Sequence, residues 1–146
     1  MPGPGPAFQA EWRGEFDDTE VNALHAEGFS HPPGRHDWSG QVRRHSLGWV
    51  CVRRLSVGEP PVLAGFVNVA WDGGVHAFLL DTVVRADSRR QGIGTMLLRV
   101  ATEQVRAAGC EWLHVDFEEH LRSFYLSAGF SATGAGVLQL KQPGGR

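Results

Sequence analysis

Hydrophobic and polar residues change rhythm several times along the chain, and each change predicts an element. Alternation over Ala7 to Arg13 (AFQAEWR) predicts a first strand. Asp17 can cap a helix with Glu20 three residues on, and Val21, Leu24 and His25 then share one helical face until Gly28 stops it. The next segment, FSHPPGRHDWSG, gathers His31, Arg35, His36, Asp37 and Trp38 and leads into a short second helix through Val42. Its polar and aromatic density reads either as a substrate-binding loop or as ordinary surface. Runs at Leu47 to Leu55 and Val62 to Trp71 predict two strands parted by a Gly58-Glu59-Pro60-Pro61 turn. Asp72-Gly73-Gly74 then predicts a tight hairpin into a third strand, His76 to Val84, which completes an antiparallel meander.

Beyond Val84 a polar loop, Arg85 to Gln91, gives way to a helical period. Ile93, Met96, Leu97, Val100, Ala101, Val105 and Ala108 fall on one face, with Arg99, Thr102, Glu103 and Arg106 on the other. Gly109 suits the C-terminal cap, and Trp112 to Phe117 reads as a strand reached by a crossover, hence parallel to its predecessor. Glu118 to Ser127 reads as a helix that buries Leu121, Phe124, Tyr125 and Ala128 and ends at Gly129. Phe130 to Ala132 and Val137 to Lys141, parted by Thr133-Gly134-Ala135-Gly136, read as a last hairpin.

Composition narrows this picture. A chain of 146 residues, 42% hydrophobic and 21% charged, predicts a single domain over residues 1–146, with residues 1–6 and 142–146 flexible. A net charge of -2 gives no reason to expect nucleic acid as a partner. No apolar run approaches the ~20 residues of a membrane span, and MPGPGPAF lacks the segments of a signal peptide, so a cytoplasmic protein without a membrane partner is expected. Cys51 and Cys110 stand in no metal-binding spacing; they read as reduced thiols in or near the core, and no metal site is expected.

The chemistry concentrates where the third meander strand becomes the long helix. Gly92 and Gly94 flank the helix start, so no side chain screens the first-turn N–H groups, which lack intrahelical partners. With the positive end of the helix dipole and the guanidinium groups of Arg89 and Arg90, these donors can seat a phosphate or pyrophosphate. No Lys-Ser/Thr follows the glycines, as a P-loop requires, and the third glycine of the dinucleotide fingerprint is missing.

The order Arg-x-x-Gly-x-Gly/Ala between a strand and a long helix resembles the acyl-CoA-binding motif of the GNAT superfamily of N-acetyltransferases, with Arg89, Gly92 and Gly94 at its fixed positions. Phe124-Tyr125-x-x-x-Gly129-Phe130 is similar to the aromatic-Tyr-x-x-x-Gly-Phe signature of the same superfamily, and the element order resembles its fold along nearly the whole chain. DFEEHLRSFYLSAGF resembles a bacterial subset known only as acetyltransferases. The chain departs from the pattern at Ala86, where a proline is common before the loop, and at Glu118 and Glu119, where an asparagine often opens the last helix.

The resemblance implies an α/β fold with a mixed, mostly antiparallel sheet, flanked by helices and splayed at a parallel pair where the cofactor sits. It implies acetyl-CoA as cofactor, held by Val83, Val84, Arg89, Arg90, Gln91, Gly92, Ile93, Gly94 and Thr95, with a slot opening just beyond Val84 and Val115. It also implies direct acetyl transfer to a primary amine of a small molecule or protein in a ternary complex. Such transfer needs positioning, oxyanion stabilisation by main-chain N–H groups, a base for the ammonium proton and an acid for the thiolate. Tyr125 is the expected acid.

Asp81, a carboxylate in an otherwise apolar strand, is the first candidate base; it reads equally as a structural group bonded to backbone or tryptophan. His76, His114 and His120 are the other candidates. Asp81, Glu118 and Glu119 at one cleft favour a cationic amine. The rival reading is a CoA-binding sensor or partner-binding module without turnover. Dimers are common in this superfamily, so a homodimer is admitted. Trp12, Trp38, Trp49 and Trp71 read mainly as core.

Overall fold

The structure, a computed structural model, describes residues 5–141. These fall into two compact units that meet in sequence at Val115 and Asp116. The expected flexibility of residues 1–4 and 142–146 lies outside the described residues. Among the described residues no helix is long and apolar enough to cross a membrane.

The first unit is a five-stranded sheet in the order β1-β2-β3-β4-β5, formed by β1 (Ala7–Trp12), β2 (Ser46–Leu55), β3 (Val62–Trp71), β4 (His76–Val84) and β5 (Trp112–Val115). The first three pairings are antiparallel and β4 with β5 is parallel, so the mixed sheet expected from the crossover is present. In the β3–β4 turn the Asp72 carboxylate accepts the N–H groups of Gly74 at 2.7 Å and His76 at 3.2 Å, and Gly73 takes the left-handed φ of 79°.

Successive side chains on β2 point to opposite faces, and each face has its own cover. Trp49 and Cys51 join Val21 and Leu24 of α1 (Asp18–Phe29), Trp38 and Val42 of α2 (Trp38–His45), and Phe66 and Val83 in one buried cluster. On the other face α3 (Ile93–Ala107) buries Ile93, Leu97, Leu98, Ala101 and Val105. Helix and sheet come close there because Gly65 of β3 lacks a side chain: a Cβ would lie 2.7 Å from Cγ2 of Ile93.

Helix α1 is pinned at its start and runs further than the sequence suggests. Glu20 accepts the Asp17 N–H at 3.0 Å and pairs with Arg53 of β2 at 2.8 Å. Gly28 does not end the helix. It lies inside the last turn, where a Cβ would run into Val83, and Ser30, at φ 56°, is the left-handed cap. Here glycine serves close packing, not termination.

The second unit holds one turn of 3₁₀ helix over Glu119–Leu121 and then α4 (Arg122–Ser127), with Gly129 at φ 105° beyond it. The expected ten-residue helix is therefore shorter. Of its four expected apolar contacts Tyr125 is buried, while Leu121 and Ala128 are exposed. The C-terminal hairpin does not form: residues 130–141 carry no strand, and Val137, Leu138 and Leu140 are 76%, 81% and 90% exposed. The unit contains no strand for them to pair with, and a lone hairpin is marginal in water.

Candidate active site

Strand β4 and the loop after it form one continuous surface. β5 pairs with β4 from His76↔Trp112 to Leu79↔Val115, while β4 runs on to Val84. The parallel pair thus parts at Leu79, five residues earlier on β4 than Val84, where the sequence placed the parting. β3 continues to pair with the other edge of β4 as far as Gly65↔Val84. Between Phe66↔Val83 and Asn68↔Leu80 the register shifts, and within this bulge Asp81 takes φ 57°. A left-handed aspartate in a strand is strained backbone held by its surroundings, a feature that gathers at functional sites.

The loop is fastened to the sheet from beneath. Asp87, in a 3₁₀ turn over Ala86–Ser88, pairs with Arg85 at 3.0 Å and Arg54 of β2 at 3.3 Å, while buried Ser88 donates to Asp87 and accepts from Arg54. Desolvation would raise the Asp87 carboxyl, but the Ser88 hydrogen bond and the two guanidinium charges outweigh it and hold the group below the usual carboxylate range. Glu27 of α1 accepts the Ala86 N–H.

Above this anchor the chain turns through Arg90 at φ 64° and Gly92 at φ 79° into α3. No side chain caps the helix, and a Cβ at Gly92 would meet nothing within 4 Å. The first-turn N–H groups of Ile93, Gly94 and Thr95 therefore have no side-chain cap, and Arg89 and Arg90 next to them in the chain are exposed. Arg89 is steadied by a 3.4 Å contact from Nε to the Val84 carbonyl. These residues fit a pyrophosphate: uncapped donors, the helix dipole and two exposed guanidinium groups belong to one short stretch of chain.

Asp81 reaches none of the three histidines singled out in the sequence. His76 and His114 bond to each other at 2.8 Å on the exposed side of β4 and β5, and His120 sits 3.4 Å from Glu118 in the second unit. Asp81 Oδ1 instead lies 3.1 Å from Nε2 of His25 on α1. Nδ1 of His25 is 2.7 Å from Nε2 of His31, and Nδ1 of His31 is 2.8 Å from the Pro32 carbonyl. The His25 ring packs against Phe29, His31 and Trp38, with centroids 4.4, 4.9 and 5.0 Å away.

Buried Asn22 builds this corner. Its amide exchanges two hydrogen bonds with the His36 backbone and accepts from Trp38 Nε1 at 3.1 Å, which folds the histidine-rich loop back on α1. The tryptophan is a core residue with a satisfied N–H, as is Trp49, whose Nε1 donates to the Gly14 carbonyl. Cys51 offers no nucleophile, since burial pushes its thiol up to about 12.

In the second unit Tyr125 is stacked on Phe117 at 5.2 Å and flanked by Phe124 at 5.0 Å and Phe130 at 5.7 Å. Glu119 is held by Arg122 at 2.8 Å; that hydrogen bond and the guanidinium charge lower its carboxyl.

Comparison with known proteins decides the family. Residues 7–130 match the acetyltransferase (GNAT) family. The chain belongs to that family. Glucosamine-6-phosphate N-acetyltransferase from Arabidopsis thaliana shares its fold at a TM-score of 0.75 and 16% identity, over 93% of this chain and 99% of that one. An acetyltransferase from Trypanosoma brucei aligns at 0.74 and 18% identity, over 93% and 100%. Aminoglycoside N-acetyltransferase AAC(6')-Iy in complex with CoA aligns at 0.67 and 16% identity, over 98% and 100%. No curated protein is matched in sequence. This GNAT chain thus carries the mixed sheet expected of it.

Proposed function

We propose that this GNAT protein is an acetyl-CoA-dependent N-acetyltransferase that acts on a primary amine of a small molecule or protein by direct transfer. The observation that carries the reading is the run from the free edge of β4, past the bulge at Asp81, into the uncapped, arginine-flanked start of α3. One structural relative is a complex with CoA, which supports CoA as the ligand of this run.

Each residue has a task its surroundings suit. Arg89, Arg90 and the N–H groups of Gln91, Gly92, Ile93, Gly94 and Thr95 hold the pyrophosphate. The main chain of Val83 and Val84 orients the acyl arm and offers donors toward charge that develops on its carbonyl oxygen. Acetyl-CoA supplies the activated acetyl group. Asp81 takes the proton of the incoming ammonium, and Tyr125, kept in place by three aromatic rings, donates a proton to the departing sulfur.

The test is release of free thiol from acetyl-CoA by the purified chain against a panel of cationic and neutral amines. Amine-dependent release, with acetylated amine recovered in equal amount, is the expected result. Binding of acetyl-CoA without release on any small amine or lysine-bearing peptide would replace the enzyme by a CoA-binding sensor.

A further inference from the structure

Four nitrogens of two imidazole rings stand in line between two groups that only accept. At one end is the Asp81 carboxylate, 3.1 Å from His25 Nε2; at the other is the Pro32 carbonyl, 2.8 Å from His31 Nδ1. Between the rings His25 Nδ1 and His31 Nε2 are 2.7 Å apart. A carbonyl has no proton to give, so His31 Nδ1 carries one. The contact between the rings needs one proton, and so does the contact with Asp81. Three hydrogen bonds therefore need three protons, whereas two neutral imidazoles and a carboxylate own only two.

We propose that Asp81, His25 and His31 form one proton relay, and that the arrangement in this structure is its loaded state. The inference rests on the acetyltransferase reading and deepens it, by assigning the route along which the amine's proton leaves. Loaded, the three groups together are neutral, and the extra proton can sit on His31, His25 or Asp81 without any heavy atom moving. Unloaded, they carry one negative charge and one of the three bonds is lost.

Atoms and charges balance over a turnover. The ammonium N–H breaks as its proton passes to Asp81, and the relay goes from one negative charge to neutral. A proton shifts from His25 Nδ1 to His31 Nε2, and exposed His31 gives its Nδ1 proton to water as the bond to the Pro32 carbonyl opens, which restores the negative charge. Asp81 meets the substrate at the open edge of β4; His25 has both nitrogens engaged and is a positioning and relay residue. The titratable groups around His25 are Asp81 from β4, His31 from the loop, and His36, which stands across the Trp38 ring. Packing of the His25 ring between Phe29 and Trp38 fixes the geometry on which the relay depends.

The experiment has two arms. Nitrogen-15 NMR of the free, histidine-labelled protein follows ring protonation with pH. His25 and His31 should titrate as one coupled unit, with a shared, strongly downfield proton, and His25→Gln should shift the His31 midpoint while leaving His76 and His114 unmoved. Independent titration of the two rings, or a His31 midpoint indifferent to His25→Gln, would overturn the relay whether or not the protein turns over.

The second arm is kinetic. Gln at 25 keeps an N–H toward Asp81 but breaks the link to His31, so kcat should fall on the order of 10²-fold, the amine KM should hold within about twofold, and the acid limb of the pH profile should move. Thermal melting checks that the variant is folded. Unchanged kcat and pH profile in a folded His25→Gln would overturn the catalytic role. A coupled NMR titration in a native protein that acetylates no amine would instead remove the acetyltransferase reading, and the relay's catalytic role with it.

Discussion

Two residues stand out because their surroundings contradict their chemistry. Asp81 is charged, lies in a strand of apolar neighbours and takes a left-handed φ; His25 sits on the packed side of a helix yet has both ring nitrogens engaged. Tyr125 is the proposed acid. Three aromatic rings hold its ring, so Tyr125→Phe keeps the packing and removes only the hydroxyl. Turnover by that variant should drop roughly 10²- to 10⁴-fold with acetyl-CoA affinity nearly unchanged, measured by steady-state kinetics beside calorimetry. A near-normal kcat would retire Tyr125 as the acid. Asp81 stood out in the sequence because a carboxylate interrupts an apolar run. Its partners did not. His25 meets Asp81 because α1 packs on β4, a contact between residues 56 apart in sequence that no periodicity encodes, and His31 reaches His25 from a loop that Asn22 ties back to α1.

Elements matter through how they are tied. The start of α1 is joined to β2 by Glu20 and Arg53, with N–O distances of 2.8 and 3.0 Å. The Arg53 hydrogen bond, the largest influence, lowers the Glu20 carboxyl below its ordinary 4.5. A carboxyl depressed in the folded state stabilises it above the unfolded value, and that contribution fades as pH falls through the folded value. Glu20→Gln should therefore cost about 0.5–1 kcal/mol at pH 7, after allowance for solvent screening, and the gap from the native protein should close below about pH 4 in urea melts. A constant difference from pH 7 to pH 3 would show that the charge contributes nothing.

Most element boundaries were legible because alternation and helical period are strong signals: β3 and β4 have the bounds that the sequence predicts, and α3 begins at the expected Ile93. The failures have physical causes. Gly28 looked like a helix stop but answers to Val83 across the packing interface. Val137 to Lys141 has strand-like composition, yet a strand exists only where a neighbour offers its edge. Leu98, off the expected face of α3, is buried because that helix packs on a broad sheet whose contact is wider than one stripe.

In the first unit the sheet has helices on both faces, and β5 leaves the edge of β4 unpaired beyond Leu79, in the stretch that leads into α3. The family and the mixed sheet were both readable from two short motifs in the right order, since the glycines and the Tyr125 segment keep a spacing that one helix and one strand impose. The early parting of β4 from β5 and the bulge at Asp81 were not, because both are properties of pairing between strands.

As the proposed acyl-CoA seat, the run from Arg89 to Thr95 should govern cofactor binding. Calorimetric titration of the full chain with acetyl-CoA and with CoA tests it most directly, alongside a folded variant in which Gly94 is replaced by Trp. One-to-one binding of both ligands by the native chain, abolished in Gly94→Trp with the melting temperature preserved, is the predicted result. No binding by the native chain, or normal binding by the variant, would contradict it.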